Sequence, residues 1–229
     1  LSYQNLHRTG TVVGDVMDRN TVRFNASRVY KSFTARVNVS YSNMQGDMNN
    51  SGSNGMYNLW NTPGHINLPA YKDWENVEGG NPNQWINDYY ENPYWQIDTY
   101  RRKFRNDRFT GSATLEWAPL KWLRFMGRVG MNTNTRNGSE ETYAWHFDDY
   151  AKTSGRSYAT SDTYSAYATS ADYSQRLNAD VMAFAEHQFG KNFGIKGMVG
   201  WSMNTRYSED KEVEASQLAL DDLFNVQHK

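Results

Sequence analysis

Hydrophobic and polar residues alternate with a period of two in several segments, and this alternation is the strongest structural signal in the sequence. In the segment 33–42 the odd positions are apolar or aromatic and the even positions are polar. The same alternation recurs at 21–27, 109–117, 123–132 and 195–203. Such a pattern predicts β-strands that each have one apolar face and one polar face.

Short and long connections alternate between these segments. Tight turns are predicted near 30–32, 118–121 and 189–192. Long polar segments occupy about 44–107, 136–174 and 207–229. Compact soluble domains seldom contain several long loops without secondary structure, whereas transmembrane β-barrels combine short periplasmic turns with longer extracellular loops. We expect the strands to run to roughly 9–11 residues, the length that crosses a bilayer when a strand is tilted.

Two further segments give weaker signals. A short strand is expected near 2–8, and the facing of the strand at 176–188 stays open because Met182 and Phe184 lie on the opposite face from Val181 and Ala183. Together the segments predict an all-β fold. It consists of about seven antiparallel up-and-down strands of a transmembrane β-barrel, which is partial and has long extracellular loops.

The composition supports a barrel and argues against disorder. Mean hydropathy is -0.87, yet aromatic residues make up 15% of the chain. Disordered chains are poor in aromatics, whereas a barrel exposes only alternate strand residues to lipid. Rings near the predicted strand ends, at Phe33, Trp117, Trp122, Phe193, Tyr41 and Tyr207, indicate aromatic girdles. A net charge of -1 indicates no nucleic-acid partner, and the absence of cysteine excludes a disulfide framework.

No sequence motif indicates catalysis. The chain has no HExxH, GxSxG, Walker-type or GxGxxG motif. His146 lies near Asp148 and Asp149, which permits a cation site, but a solvated acidic loop is the preferred interpretation because the EF-hand spacing is absent. We therefore expect that the protein is not an enzyme and has no catalytic residues, no metal site and no cofactor.

Aromatic residues interleaved with Asn and Asp are concentrated in the segment 56–104. Flat rings and amide groups suit a sugar ring or an extended peptide. The candidate ligand-binding residues are Trp60, Trp74, Trp85, Tyr89, Tyr90, Tyr94 and Trp95, with Trp145 in the next long segment. The alternative is that these rings pack the loop against itself or against a lid protein.

Arginines suggest how the polar face is used. Arg36, Arg124 and Arg128 fall on polar strand faces and suit a water-filled lumen or contacts with a plug, since arginine facing lipid is costly. The basic run at 101–105 is interpreted as lying near acidic loop residues or outer-leaflet phosphates.

An ordered series of short motifs resembles the SusC/RagA family, the TonB-dependent outer-membrane transporters of Bacteroidetes. The residues that carry the resemblance lie at 2–6, 19–25, 37–41, 59–63, 92–97, 105–111, 115–117 and 122–123, in family order along essentially the whole chain. The resemblance implies a barrel of about 22 strands with a plugged lumen. It also implies TonB-driven import of oligosaccharides or peptides in the Gram-negative outer membrane, beneath a surface lipoprotein of the SusD type.

The resemblance also predicts how much of such a transporter this chain represents. Residues 1–229 are expected to form one partial barrel domain in contact with outer-membrane lipid. The plug domain, the segment that contacts the TonB complex and the C-terminal strands are expected to lie elsewhere. The first residues lack the features of a signal peptide, so an N-terminus further upstream is expected.

A soluble or surface-exposed all-β carbohydrate-binding module, or an adhesin, is the alternative. In a transporter the apolar faces that contain Val37, Leu115, Val129 and Val199 contact lipid. In a soluble module the same residues form a buried core. The surroundings of these faces therefore distinguish the two interpretations.

Overall fold

A single antiparallel sheet dominates the structure, a computed structural model that describes residues 1–50, 53–190, 192–221 and 223–227. Within these residues the strands are β1 Ser2–Thr9, β2 Val16–Tyr30, β3 Phe33–Asn49, β4 Tyr100–Leu120, β5 Leu123–Thr142, β6 Ala166–Phe189 and β7 Phe193–Ser216. Their order in the sheet is the order in the chain, and every neighbouring pair is antiparallel. The prediction of seven up-and-down strands in an all-β fold, as in part of a barrel, is confirmed.

Short helices occupy the long connections at one end of the sheet. They are α1 Ser53–Trp60, a 3₁₀ helix at Leu68–Tyr71, α2 Pro93–Thr99 and α3 Asp149–Thr153. None of the helices in the described residues is long and apolar enough to cross a membrane.

Tight turns close the opposite end of the sheet, as predicted. The β2–β3 turn has Lys31 with a φ of 53°, and the β6–β7 turn has Gly190 with a φ of 67°, a conformation that glycine adopts without strain. Position 191 of that turn lies outside the described residues. The β4–β5 turn comes after Leu120, which pairs with Leu123.

The predicted strand lengths were wrong. β3 has 17 residues, and β6 and β7 have 24 each, because the strands continue beyond the alternating segments. The long connections are correspondingly shorter than predicted and run from 50 to 99 and from 143 to 165. The sequence pattern misses the outer parts of the strands because both strand faces can be polar there, as at 133–142. A strand without an apolar face shows no period-two alternation of hydrophobicity.

The strand register joins the apolar positions into one continuous surface, which we call the apolar band. Each of its rows crosses the sheet from β2 to β7, and one row consists of Ala26, Val37, Ala113, Val129, Ala179 and Met203. Band residues are open to the surroundings, with Val199 72% and Trp201 59% exposed. None of the buried hydrophobic residues in the described part of the chain belongs to the band. The described part of this chain therefore does not bury the apolar band as a core.

The same register settles the facing of β6. Val181 pairs with Trp201, and Ala183 pairs with Val199, so both lie in the apolar band. Phe184 lies on the opposite face, where the guanidinium of Arg124 stacks 4.3 Å from its ring centroid.

The opposite, polar face carries paired charges near the tight turns. Arg124 lies 3.6 Å from the carboxylate of Glu116, which also accepts a hydrogen bond from Arg36. Arg128 donates to Asp180 at 2.7 Å. These arginines lie on the polar face, as the sequence predicted, and each has a carboxylate partner.

Candidate functional site

The connections at the outer end of the strands pack into one unit, which we call the cap. It comprises the described residues of 50–99 and 143–165, together with the segment that follows β7. Seven of the eight sequence-predicted ligand-binding residues come from the first connection, and Trp145 comes from the second.

Several of the predicted site residues form the core of the cap. Trp85 and Trp95 are 0% exposed, and Trp74 is 8% exposed. Trp145 contacts both Trp74 and Trp95 edge-on, with ring centroids 5.8 and 6.5 Å apart, and Tyr71 contacts Trp85 at 5.2 Å. The rings of Trp85 and Trp95 therefore offer no open face to a ligand in this conformation. These residues pack the loop against itself, which was the alternative interpretation of the sequence.

Helix α2 holds Trp95 in this core through local sequence signals. Asn92 precedes the helix, and its side-chain oxygen accepts a hydrogen bond from the backbone N–H of Tyr94, while Pro93 occupies the first turn. The amide nitrogen of the fully buried Asn92 donates to the carbonyl of Gly80 at 2.8 Å. One side chain thus begins the helix and ties it to an earlier part of the loop.

The second connection is hydrogen-bonded onto the first. The backbone N–H of Ser157 donates to the carbonyl of Asp88 at 2.9 Å, and Arg156 donates to the carbonyl of Asn83 at 2.7 Å. Asp148 caps α3 by accepting from the N–H of Ala151 at 2.7 Å. The two connections therefore form one folded layer over the strand ends.

The basic run at 101–105 lies at the junction of the cap and the strands. Arg101 donates to Asp47 at 2.7 Å and to the carbonyl of Gly14 at 3.1 Å. Lys103 pairs with Glu141 at 3.0 Å. The expected acidic loop residue is Asp15 in the β1–β2 connection, 3.8 Å from Arg101, whereas Asp47 and Glu141 belong to strands β3 and β5.

The remaining predicted residues are accessible. Trp60 is 74% exposed and Tyr89 is 73% exposed, and Tyr90 is partly covered by an edge contact with Tyr57 at 5.5 Å. Tyr94 lines a cavity of about 370 Å³ between the β1–β2 connection, α1 and α2. Whether any of these rings contacts a ligand stays a prediction.

The cavity at Tyr94 is mainly apolar, and sequence reasoning missed most of its lining. Its apolar residues include Val12, Val13, Met56, Leu59 and Ile97. These positions come from three separate segments without a shared periodicity, so only the packing of the cap brings them together. The volume suits one or two apolar side chains of a ligand or partner.

Burial perturbs one carboxyl group within the cap. It raises the pKa of Glu91 from 4.5 to about 7, and a hydrogen bond donated by Gln96 opposes this shift in part. Burial, with a smaller contribution from Glu91, also raises the pKa of Tyr100 to about 12. Glu91 is thus a buried group that titrates near neutral pH.

His146 connects the cap to the segment after β7. Its ring nitrogens lie 3.1 Å from Asp221 and 3.4 Å from Asp162. The hydrogen bond to Asp221, followed by that to Asp162, raises the pKa of His146. Asp148, a member of the candidate cation site, instead caps α3. In the described residues, no group of three or more His, Cys, Asp or Glu is placed to hold a metal ion.

The overall architecture is that of a strip of β-barrel wall with a folded outer cap, and solved structures share this fold. The chain is similar to the RagAB peptide importer in an open-open state, with a TM-score of 0.63 and 12% identity over 93% of this chain and 23% of that chain. The closed-closed state of the same importer gives a TM-score of 0.64 and 12% identity over 98% of this chain and 24% of that chain.

Identities this low show the fold alone, and the chain spans about a quarter of the length of those importer chains. No protein-family model matches the sequence, and no curated protein matches it significantly.

Proposed function

We propose that this chain forms part of the barrel wall and outer loops of a TonB-dependent importer of the SusC/RagA kind in the Gram-negative outer membrane. A SusD-like surface lipoprotein would cover the cap, and a plug region outside this chain would contact the TonB complex. The solved neighbours are described as a peptide importer, which favours peptides over oligosaccharides as cargo. The proposal assigns no catalytic step and no cofactor to the chain.

The apolar band is the observation that carries this proposal. On β3 it runs from Phe33 to Tyr41, which matches the roughly 9–11 residues that a tilted strand needs to cross a bilayer. Trp117 and Phe125 continue the row that begins at Phe33, and Tyr207 lies near the outer edge of the band. Aromatic rings at both borders of a lipid-facing surface are typical of transmembrane barrels. A soluble module would instead bury these residues, which the described part of this chain leaves exposed.

Uptake by the full-length protein tests the proposal. A Gram-negative strain that carries the protein in its outer membrane should accumulate a labelled neutral oligopeptide, and loss of TonB should abolish the accumulation. A labelled oligosaccharide tests the second cargo class in the same strain. A protein that resides in the outer membrane but takes up neither cargo would contradict the import function. A protein found in the soluble fraction would contradict the membrane placement.

The exposed cap rings provide a sharper test of where cargo binds. Trp60→Ala and Tyr89→Ala remove accessible rings and should each weaken binding of the imported oligopeptide by about 2- to 10-fold, as aromatic contacts worth about 0.5–1.5 kcal/mol do. Trp201→Ala is the matched control, because it removes a comparably exposed ring from the apolar band. Equal affinities in all three variants would remove these rings from the proposed site.

A further inference from the structure

Arginines without ion-pair partners line the polar face of the sheet at the level where the apolar band ends. Arg108, Arg176 and Arg206 line one cavity of about 350 Å³ together with Asn132, Asn134 and Ser174. We call these three arginines the arginine strip. All three are exposed, so their guanidinium groups are open to the space that the sheet faces.

The strand register places two of these arginines directly opposite each other. Arg176 on β6 pairs with Arg206 on β7, and like charges in this position destabilise a sheet. In the described part of the chain, no carboxylate lies within ion-pair distance of any residue of the strip. Arg36 and Arg128 on the same face each have such a carboxylate. The repulsion between Arg176 and Arg206 is therefore not neutralised by a carboxylate of the described sheet.

On the face that carries the strip, the nearest carboxylates along β6 and β7 are engaged or distant. Asp180, on the side of the tight turns, accepts hydrogen bonds from Arg128 and Ser202. Asp172 and Asp210, on the outer side, pair with each other in the register and lie roughly 13 Å from the strip along the strands. A guanidinium group can donate two parallel hydrogen bonds to one carboxylate. Because the groups around the strip are neutral amides and a hydroxyl, its arginines are suited to bind a carboxylate that comes from outside the sheet.

We propose that the arginine strip binds carboxylate groups of the cargo and gives the importer a preference for acidic oligopeptides. This inference rests on the proposed import function. Charge complementarity favours the carboxylates of an acidic cargo as the occupant, because the guanidinium groups are exposed and lie among neutral amides and a hydroxyl.

A pair of labelled oligopeptides tests the proposal, one with two glutamates and the other with glutamines at the same positions. Binding of both is measured on the full-length transporter and on Arg176→Gln and Arg206→Gln. Lys196→Gln is the matched control, since Lys196 lies on the same face near the tight turns, where it pairs with Glu186. We expect the glutamate peptide to bind about tenfold more tightly to the native protein at low salt. Most of this preference should disappear in the two strip variants and at high salt, but not in Lys196→Gln.

Thermal unfolding of the same variants separates the cargo from other occupants. Removal of one of two repelling arginines should leave the melting temperature unchanged or raise it. A lower melting temperature together with an unchanged peptide preference would overturn the proposal, because the strip would then hold an acidic segment of the protein. Equal binding of both peptides to the native protein would overturn the acidic preference but leave the import function intact. Binding and uptake of neither peptide would instead contradict the import function.

Discussion

The tryptophans of the sheet and those of the cap have opposite surroundings. Trp117 and Trp201 lie in the apolar band and are 41% and 59% exposed, whereas Trp85 and Trp95 in the cap are fully buried. The cap rings are covered by other parts of the cap, whereas Trp117 stacks on Phe33 and Phe125 within the band and stays accessible. The high aromatic content therefore serves two purposes. Burial of rings stabilises the cap from within, while the exposed rings of the band are the ones that the proposed membrane placement brings into contact with lipid.

The largest expected effect comes from the core of the cap. Trp95→Ala should reduce the local stability of the cap by about 3–5 kcal/mol, because a fully buried tryptophan leaves a large cavity. Trp60→Ala should change it by only about 0.5 kcal/mol, because Trp60 is 74% exposed. Hydrogen exchange of the amides at 85–99 in the full-length protein measures the local stability of the cap in both variants. Similar losses in the two variants would show that burial does not distinguish these rings.

A charge in the apolar band should have the next largest effect. Val37→Arg places a guanidinium near the middle of the band, and the free energy of folding into lipid vesicles should fall by about 2–4 kcal/mol. Asn38→Arg, at the next position on the polar face, is the matched control and should change it by less than about 1 kcal/mol. If Asn38→Arg lowered the free energy of folding more than Val37→Arg, the polar face rather than the apolar band would contact lipid.

The buried carboxyl of Glu91 makes the stability of the cap depend on pH. Its pKa is raised to about 7, so the folded cap favours the neutral acid. The stabilisation is complete below pH 4.5 and is lost as the pH rises through 7, by up to about 3 kcal/mol. Protection factors at 85–99 should therefore be higher at pH 5 than at pH 8. Glu91→Gln should remove this difference, and persistence of the difference in the variant would assign it to another group.

The contact between His146 and Asp221 should give the smallest effect. The hydrogen bonds to Asp221 and Asp162 raise the pKa of this exposed histidine, so its protonated form strengthens the contact. Protection of residues 217–221 should be complete below the ordinary histidine pKa and should weaken as the pH rises through the raised value. Asp221→Asn should lower the histidine pKa in an NMR titration. An unchanged pKa would exclude this pairing.

Period-two alternation predicted the parts of the fold that have an apolar side. The band positions of β3, β4 and β5 follow directly from residues such as Val37, Leu115 and Val129. The outer halves of the strands were missed, because segments such as 133–142 are polar on both faces. The facing of β6 needed the register, since Val181 and Phe184 carry equally apolar side chains.

Composition located the cap but did not resolve its interior. Trp60 and Trp85 lie in similar polar sequence, yet one is exposed and the other is buried. Contacts between distant segments, such as that of Trp145 with Trp74, decide which ring is covered. The arginine strip was missed for the same reason, because Arg176 and Arg206 meet only through the pairing of β6 with β7.

The placement of the apolar band in lipid is tested most directly by a spin-label scan of residues 33–41. Single cysteines would be introduced along β3 of the full-length protein in a cysteine-free background and labelled in lipid vesicles. Odd positions such as Val37 should be accessible to oxygen, which concentrates in lipid, and even positions such as Asn38 should be accessible to a water-soluble nickel chelate. Odd positions that are shielded from both reagents would show a buried core and contradict the membrane placement.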